Sequence, residues 1–520
     1  MRGSLLLCMD YLFTNITFPI NEEPNFRQII KKKYRLDSTQ FDDLQIVRRA
    51  IDARQKNNLH FVYTLRISSK IPLPKQLNIV LIHPEQVIAS PKTVCYSPNP
   101  FIIGMGPSGL FAALKLVEAG FQPDIFEQGG DLAYRKTRVE HFWNTQELDE
   151  NTNVQFGEGG AGAFSDGKLT ARTHNIYTEQ VFNYLIKFGG DTDLAVNANA
   201  HIGTDHLITI IQNIKNYLCY HGCHFYYQHQ LQDLELHGNN LTKVIINGQK
   251  HAPEILFLAV GNSARKTFQM LHQRNLALEN KPFAVGLRIE HPKDYINHAF
   301  YGEKNDFNLS GDAVYKLTYQ NGHRGVYTFC MCPGGFVIPA ASHHHEQVVN
   351  GMSYANRDHH FSNSALVVTV NNQDYGNHPL GAMQWQQSLE SKFFHNYEAP
   401  AQNVIDFTKK KKSVFLKPNS YFFPCHSSNL YEQLPTFISS SLLSAVQNFE
   451  QKYPGFVNEG SFIGIETRTS SPVRILRDQV YFHSLNAHNL FPIGEGSGYA
   501  GGIISSAADG LKVASSVVRP

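Results

Sequence analysis

The chain has 520 residues, 42% of them hydrophobic and 17% charged, enough apolar material for roughly two to four domains and incompatible with a disordered or low-complexity polymer. Its 46 Lys and Arg against 44 Asp and Glu leave a net charge of +2, so no global field recruits nucleic acid or an anionic membrane. Seven scattered cysteines, an odd number, do not make a disulfide framework and point to a reducing compartment, the cytoplasm.

The apolar run Leu5 to Met9 stops at Asp10, far short of the ~20 residues of a membrane span and shorter than a signal h-region. Leu5, Leu6, Leu7 and Cys8 look like a lipoprotein acceptor only in part, since the preceding apolar stretch is missing. Residues 11–95 read as a small α+β unit. Phe26, Ile29, Ile30 and Tyr34 share one face of a helix, and Phe61, Tyr63, Leu65 and Ile67 alternate with polar or opposite-facing residues as in a half-buried strand. From Arg27 to Lys56 there are nine Lys/Arg against four Asp. A solvated helix face explains this excess; docking of RNA or an acidic protein is the alternative. The prolines of 71–74 and 90–100 read as a linker.

From Asn99 the pattern changes. Phe101, Ile102 and Ile103 form a short apolar strand that runs into Gly104, Gly106, Pro107, Ser108 and Gly109, followed by a helix closed by Gly120 and a second strand ending at Glu127. A GxGxxG is a weak signal alone, but here it lies inside a complete βαβ unit. Gly104 permits the tight turn, Gly106 the approach of a pyrophosphate, and Gly109 close helix–strand packing, with the helix N-terminus facing the anion. Glu127, 21 residues beyond Gly106, is placed to accept ribose hydroxyls, which argues against a 2′-phosphate.

Three distant segments favour FAD over NAD, because a flavin dinucleotide is long. The first is the loop Gly157 to Lys168, with five glycines in eleven residues from Gly157 to Gly167. The second is the apolar strand Glu254 to Gly261, ending in Ala-x-Gly. The third is Gly494-Glu495-Gly496 followed by Gly501 and Gly502 at the start of a helix carrying Ile503, Ile504, Ala507, Ala508, Leu511 and Ala514. That helix start is anion-friendly and suits the pyrimidine side of a reduced flavin.

These runs, with Arg288 to Pro292, Tyr327 to Gly335 and Glu466 to Arg474, resemble the bacterial FAD-dependent dehydrogenase family of largely unassigned substrate, over residues 20–518. The resemblance implies a two-dinucleotide-binding-domains flavoprotein of the glutathione-reductase superfamily, in the branch whose substrate domain is inserted in the chain. It also implies an N-terminal appendage. The fold class expected is α/β: a discontinuous Rossmann-like FAD-binding domain at 98–275 and 461–520, an inserted α+β substrate domain at 276–460, and a small N-terminal α+β domain with linker at 1–97. The candidate cofactor set adds Gln128 and Arg135 after the second strand, Gly159, Gly160, Ala161, Gly162, Ser165 and Lys168 in the loop, and Gly261, Gly494, Glu495, Gly501, Gly502 and Ile503. The wider superfamily has Gly-Asp where this chain has Gly494-Glu495, which leaves the carboxylate's partner open.

The inserted region carries strand patterns at Phe283 to Ile289, Gly325 to Cys330 and Ala365 to Val370, and a helix pattern from Leu434 to Tyr453. His343 to His345 and His359 to His360 read as exposed loops, and no metal is expected. Lys409 to Lys412 reads as a solvated run. Arg468 and Arg474 suit a carboxylate or phosphate bidentately, or else pair with Glu466 or Asp478; Arg468 is the candidate catalytic residue, orienting substrate. Cys330 and Cys332 share a strand face and point either into a dry core or toward the flavin. The expected activity is hydride transfer between FAD and an unidentified small molecule, with a second electron acceptor. No second GxGxxG unit supports a dedicated NAD(P)H domain. The alternatives are an RNA-associated flavoprotein using the basic N-terminal unit, and a non-catalytic flavin sensor. No membrane partner is expected, and the oligomeric state is left open.

Overall fold

The computed structural model describes residues 9–73, 76, 78–82, 99–169, 175–198, 200–303 and 307–517. The Leu5 to Cys8 segment and the proline-rich stretch 90–98 lie outside them. The chain divides into two compact units, one of residues 1–89, 191–200 and 297–313, the other of 90–190, 201–296 and 314–520.

The first unit is a four-stranded sheet in the order Phe41–Asp52, His60–Ser69, Met9–Pro19, Ile79–Leu81, with antiparallel neighbours throughout. Alternation places Phe13, Ile16, Leu65 and Ile67 in one core, where Ile30 of the helix Phe26–Tyr34 joins them. The Asn25 side chain caps that helix at the Gln28 amide, 3.0 Å, and Arg35 ends it in the left-handed region. The basic segment is therefore not one solvated helix face: Lys31, Lys32 and Lys33 are helical, whereas Arg48 and Arg49 lie on a strand. Ion pairs Lys31–Asp37, Arg54–Asp52 and Arg49–Asp193 offset part of its charge.

The second unit contains two large sheets. One is five-stranded and parallel, in the order Leu490–Pro492, Leu256–Leu258, Phe101–Ile103, Asp124–Glu127, His224–Tyr227. Strands Leu256–Leu258 and Leu490–Pro492 are fully buried apolar runs, as burial on both faces requires, whereas the edge strand His224–Tyr227 is half-exposed. Helices Pro107–Glu118 and Ile503–Val517 pack so closely that a Cβ on Gly510 would stand 2.1 Å from the Ser108 carbonyl oxygen.

The other sheet is seven-stranded, in the order Thr318–Asn321, Arg324–Cys332, Phe361–Val370, Phe283–Pro292, Ser461–Glu466, Ala399–Asn403, Cys425–Ser427. Strand Ser461–Glu466 lies inside it, so this layer runs past the expected boundary at 460. The chain crosses between the layers on a two-stranded antiparallel ribbon, Leu278–Asn280 against Val473–Ile475. Both sheets fall in the same compact unit, so the inserted region, apart from 297–313, is a layer of that unit. The helix expected from Leu434 to Tyr453 spans Thr436–Lys452.

Candidate functional site

The strands Phe101–Ile103, Leu256–Leu258 and Leu490–Pro492 all end at glycine-containing turns on one edge of the parallel sheet, the edge where open α/β sheets bind ligands. Gly104 is left-handed, and a Cβ there would lie 2.3 Å from the Ala259 carbonyl oxygen. Its tight turn is thus required by the Ala-x-Gly strand. Gly109 would place a Cβ 2.1 Å from the Gly104 carbonyl oxygen, the close helix–strand approach expected of it. Gly106 differs. It caps the helix with φ of −79°, and a Cβ there meets only the Gly160 Cα at 3.7 Å. The backbone tolerates a side chain at Gly106, yet the chain keeps an open cradle at the helix N-terminus, flanked by Pro107 and the buried Ser108.

Glu127 is buried at the end of its strand. Its Oε1 accepts the amides of Gly129 and Gly157, each at 3.0 Å, and its Oε2 accepts the Met105 amide at 3.0 Å. The carboxylate therefore ties the first glycine turn to the second, a role the ribose expectation did not contain. Two oxygens offer about four lone-pair sites, so one remains for a hydroxyl. Gln128, next in the chain, accepts from the Gln230 side chain at 3.4 Å.

Arg135 braces the glycine-rich loop from beneath. Fully buried, it donates through Nε to the Asn153 carbonyl at 2.9 Å and through Nη1 to the carbonyls of Glu158 and Gly160 at 2.7 and 2.9 Å. Burial lowers it to about 10, against the pull of Glu127 and Glu158, so it stays charged at neutral pH. Its Nη2 has no hydrogen-bond partner among the described residues. The guanidinium lies over the Phe164 ring, 4.8 Å from its centroid, which offsets part of the cost of the unpaired donor. The Gly160 that it holds lies against the Gly106 cradle.

The loop supplies the remaining wall. Gly157, Gly159, Gly160 and Gly167 all have positive φ, and Ala161–Phe164 forms a single 3-10 turn closed by the Ser165 hydroxyl on the Gly162 carbonyl at 2.8 Å. Gly162 packs on Ile503 at the start of the last helix. Around Gly261, Gly501 and Gly502 a Cβ would meet nothing within 4 Å. Gly494 donates its amide to Asp509 at 2.8 Å. Glu495 accepts from the Asn262 side chain at 2.8 Å, and burial raises its pKa. These groups fit a flavin dinucleotide: a helix N-terminus, backbone amides without side chains, one free carboxylate position and an idle guanidinium donor.

Arg468 lies elsewhere in the chemistry. It is part of a buried quartet with Arg265, Glu346 and Glu390. Its Nη2 meets Glu346 at 3.1 Å and Glu390 at 2.9 Å, Nε meets Glu390 at 3.2 Å, and Nη1 donates to Ser263 and Ser342 at 3.2 and 2.5 Å. Its donors are matched within the protein, so the geometry gives the ion-paired alternative, with Glu346 and Glu390 as partners in place of Glu466 or Asp478. Glu466 instead holds Arg288, and Arg474 pairs with Glu279 at 2.7 Å.

A second polar cluster stands where the loop meets the seven-stranded layer, and sequence spacing did not reveal it. Asp166 accepts from Ser353 at 2.5 Å and from Arg357 at 3.0 Å, with His201 Nδ1 and Lys168 Nζ at 3.6 and 3.8 Å. Burial pushes the Asp166 carboxyl up, but Lys168, Arg357 and His201 outweigh it and hold it well below the usual range. Both ring nitrogens of His201 are buried without hydrogen-bond partners among the described residues. Asp166 and Lys168 were visible in the loop motif; His201, Ser353 and Arg357 come from 35 to 191 residues away and carry no motif of their own. The histidine runs do not assemble: among the described residues no group of three His, Cys, Asp or Glu is placed to hold a metal. Lys409 to Lys412 are exposed, with Lys410 over the Tyr431 ring. No helix among the described residues is long and apolar enough to cross a membrane.

An uncharacterized protein of Clostridium beijerinckii is 39% identical over 97% of this chain and 98% of its own length. The chain belongs to that protein's family. Residues 282–469 match the family model described as FAD-dependent protein, C-terminal domain-like, and the cofactor is FAD. Residues 13–68 match a domain of unknown function. Among solved structures, L-amino acid deaminase from Proteus vulgaris aligns at 10% identity and a TM-score of 0.35, over 83% of this chain and 91% of that one. Tetracycline destructase Tet(55) aligns at 11% identity and 0.33, over 81% and 79%.

Proposed function

We propose that this FAD-dependent protein is a cytoplasmic oxidoreductase of the glutathione-reductase-type superfamily, transferring hydride between a small-molecule substrate and its flavin. When bound, the flavin supplies the two-electron chemistry; the chain supplies position, charge and proton handling. The observation that carries the reading is the open cradle at Gly106, whose neighbouring wall, Gly160, is held from its carbonyl by buried Arg135. The amides of the Pro107–Glu118 helix start would hold the pyrophosphate, Arg135 would brace the loop beside it, and the remaining position on Glu127 would take a ribose hydroxyl. The open backbone at Gly501 and Gly502, at the start of Ile503–Val517, lies where anionic reduced flavin is favoured by the helix dipole.

On the substrate side, Lys168 and Arg357 supply positive charge, and His201, whose Nδ1 lies 3.6 Å from Asp166 and whose Nε2 has no hydrogen-bond partner among the described residues, is the group able to take or give a proton. Arg468 is a positioning residue, holding Glu346 and Glu390 under the Arg265 helix. The test is anaerobic bleaching of the flavin by a panel of reduced metabolites, in wild type and in His201→Gln. A donor that bleaches the wild type, and bleaches the variant at least about tenfold more slowly at equal flavin content, supports the assignment. Equal rates remove His201 from it.

A further inference from the structure

Cys330 and Cys332 flank Met331 at the end of strand Arg324–Cys332. Pairing with Phe361–Val370 runs Phe329 to Ala365 and then Cys332 to Asn363, so one extra residue is accommodated, and Cys330 sits in the left-handed region with φ of 48°. The strand is therefore not regular where it carries the two cysteines. In an unbroken strand residues i and i+2 stand about 6.6 Å apart, close to the upper end of the roughly 4.4–6.8 Å Cα range that a disulfide spans. The bulge breaks that extension, and the Cys332 Sγ folds back to 3.4 Å from the Cys330 carbonyl oxygen.

The pair is asymmetric. Cys332 is fully buried, whereas Cys330 is half-buried. Arg288 stands over both: its Nη2 donates to the Cys330 carbonyl at 2.5 Å and reaches the Cys332 Sγ at 3.4 Å. That guanidinium cannot turn away, because Glu466 grips Nη1 at 3.0 and 2.9 Å and Asn363 accepts from Nε at 2.8 Å. A Cβ on Gly335 would touch both Cys332 and Ser353, and Ser353 bonds Asp166, so the pair borders the cluster at the end of the glycine-rich loop.

We propose that Cys330 and Cys332 form a dithiol–disulfide couple that reduces a small-molecule disulfide, Cys330 attacking and Cys332 resolving. The Cys330 thiolate attacks one sulfur of RSSR, forms a Cys330–SR bond and expels RS⁻, which takes up a proton. The Cys332 thiol then loses its proton and attacks the Cys330 sulfur, expelling the second RS⁻, which is protonated in turn. Two electrons pass from the pair to the external disulfide, with one proton from the Cys332 thiol and one from solvent, giving two RSH and a Cys330–Cys332 bond. The step needs no cofactor, so it stands or falls separately from the hydride reading.

The charges around the pair agree with these roles. A hydrogen bond from Cys332 draws the Cys330 thiol down to about 6 against burial, with Arg288 and Lys168 assisting and Asp166 opposing. Burial pushes Cys332 well up, as suits a protonated partner. Cys219, Cys223 and Cys425 are instead raised by burial.

The experiment uses the reduced full-length holoprotein. It is exposed to glutathione disulfide, its remaining thiols are blocked with N-ethylmaleimide, and its peptides are mapped by mass, with FAD content measured on the same sample. The expected result is a peptide containing Cys330 and Cys332 that is unblocked and lighter by two hydrogens, with two glutathiones released per bond formed. Cys332→Ser should stop at one glutathione on Cys330, and Cys330→Ser should leave residue 332 free of adduct. Full maleimide labelling of both sulfurs in the folded wild type overturns the proposal, whatever the variants do.

Discussion

The Glu127 carboxylate accepts the amide of Gly157, thirty residues on, at 3.0 Å through the same oxygen that accepts Gly129. One buried side chain thus fixes the distance between two glycine turns that come from different parts of the chain. Glu127→Gln replaces one acceptor oxygen by a donor facing an amide. Each charge-assisted bond lost costs about 1–3 kcal/mol, so chemical denaturation should show a destabilised protein, and purified variant should carry less flavin. A variant with wild-type stability and flavin content would place Glu127 outside both turns.

Gly104 and Gly106 separate folding from ligand binding. Gly104→Ala forces a Cβ onto the Ala259 carbonyl in a left-handed residue, and the melting temperature should fall. Gly106→Val fills only open space, so the apoprotein should melt near wild type while its flavin-to-protein ratio drops to near zero. The ratio is read from the absorption spectrum. Retained flavin in a folded Gly106→Val protein contradicts the cradle.

Arg135→Lys keeps the charge but not the planar fork. The variant should bind FAD at least about tenfold more weakly, roughly 1.4 kcal/mol or more, and the loop carbonyls of Glu158 and Gly160 lose their shared donor. Equilibrium dialysis of the stripped protein gives the number, and an unchanged affinity would show that Nη2 faces no phosphate.

The parallel sheet and its glycine turns were legible because each contact lies at a fixed offset from a strand end: Phe101 to Glu127 is one βαβ unit, and its spacing is local. The polar centres were not. Arg265, Glu346, Glu390 and Arg468 come from four separate segments, and Asp166, His201 and the pair Ser353 and Arg357 from three, and only the fold joins them. Periodicity likewise placed Cys330 and Cys332 on one face, but a bulge is a property of the pairing with Phe361–Val370 and leaves no mark on the strand's own sequence.

Arg468→Met leaves Glu346 and Glu390 facing a single guanidinium. Breaking a buried ion pair in this way costs about 3–5 kcal/mol, visible as a lower urea midpoint. If Arg468 only positions, flavin content and substrate KM should stay near wild type in conditions where the variant is folded. A large rise in KM at unchanged stability would return it to substrate contact.

Alkylation of Cys330 should report its environment, which is faced by Cys332, Arg288, Lys168 and Asp166. With a midpoint of about 6, the rate is flat at alkaline pH and falls as acid protonates the thiolate below that midpoint. An ordinary thiol, near 8.5, instead gains about tenfold per pH unit up to that value. Cys332→Ala removes the hydrogen bond that lowers Cys330, so its midpoint should rise. Iodoacetamide kinetics resolved by peptide mass distinguish the two profiles.

The most direct test of the oxidoreductase reading is anaerobic reduction of the purified holoprotein by candidate donors, followed in the flavin absorption band and compared with free FAD in the same solutions. At least one small-molecule donor should bleach the bound flavin faster than free FAD, with colour returning when an acceptor is admitted. Bound FAD that no donor reduces faster than free FAD would contradict the account.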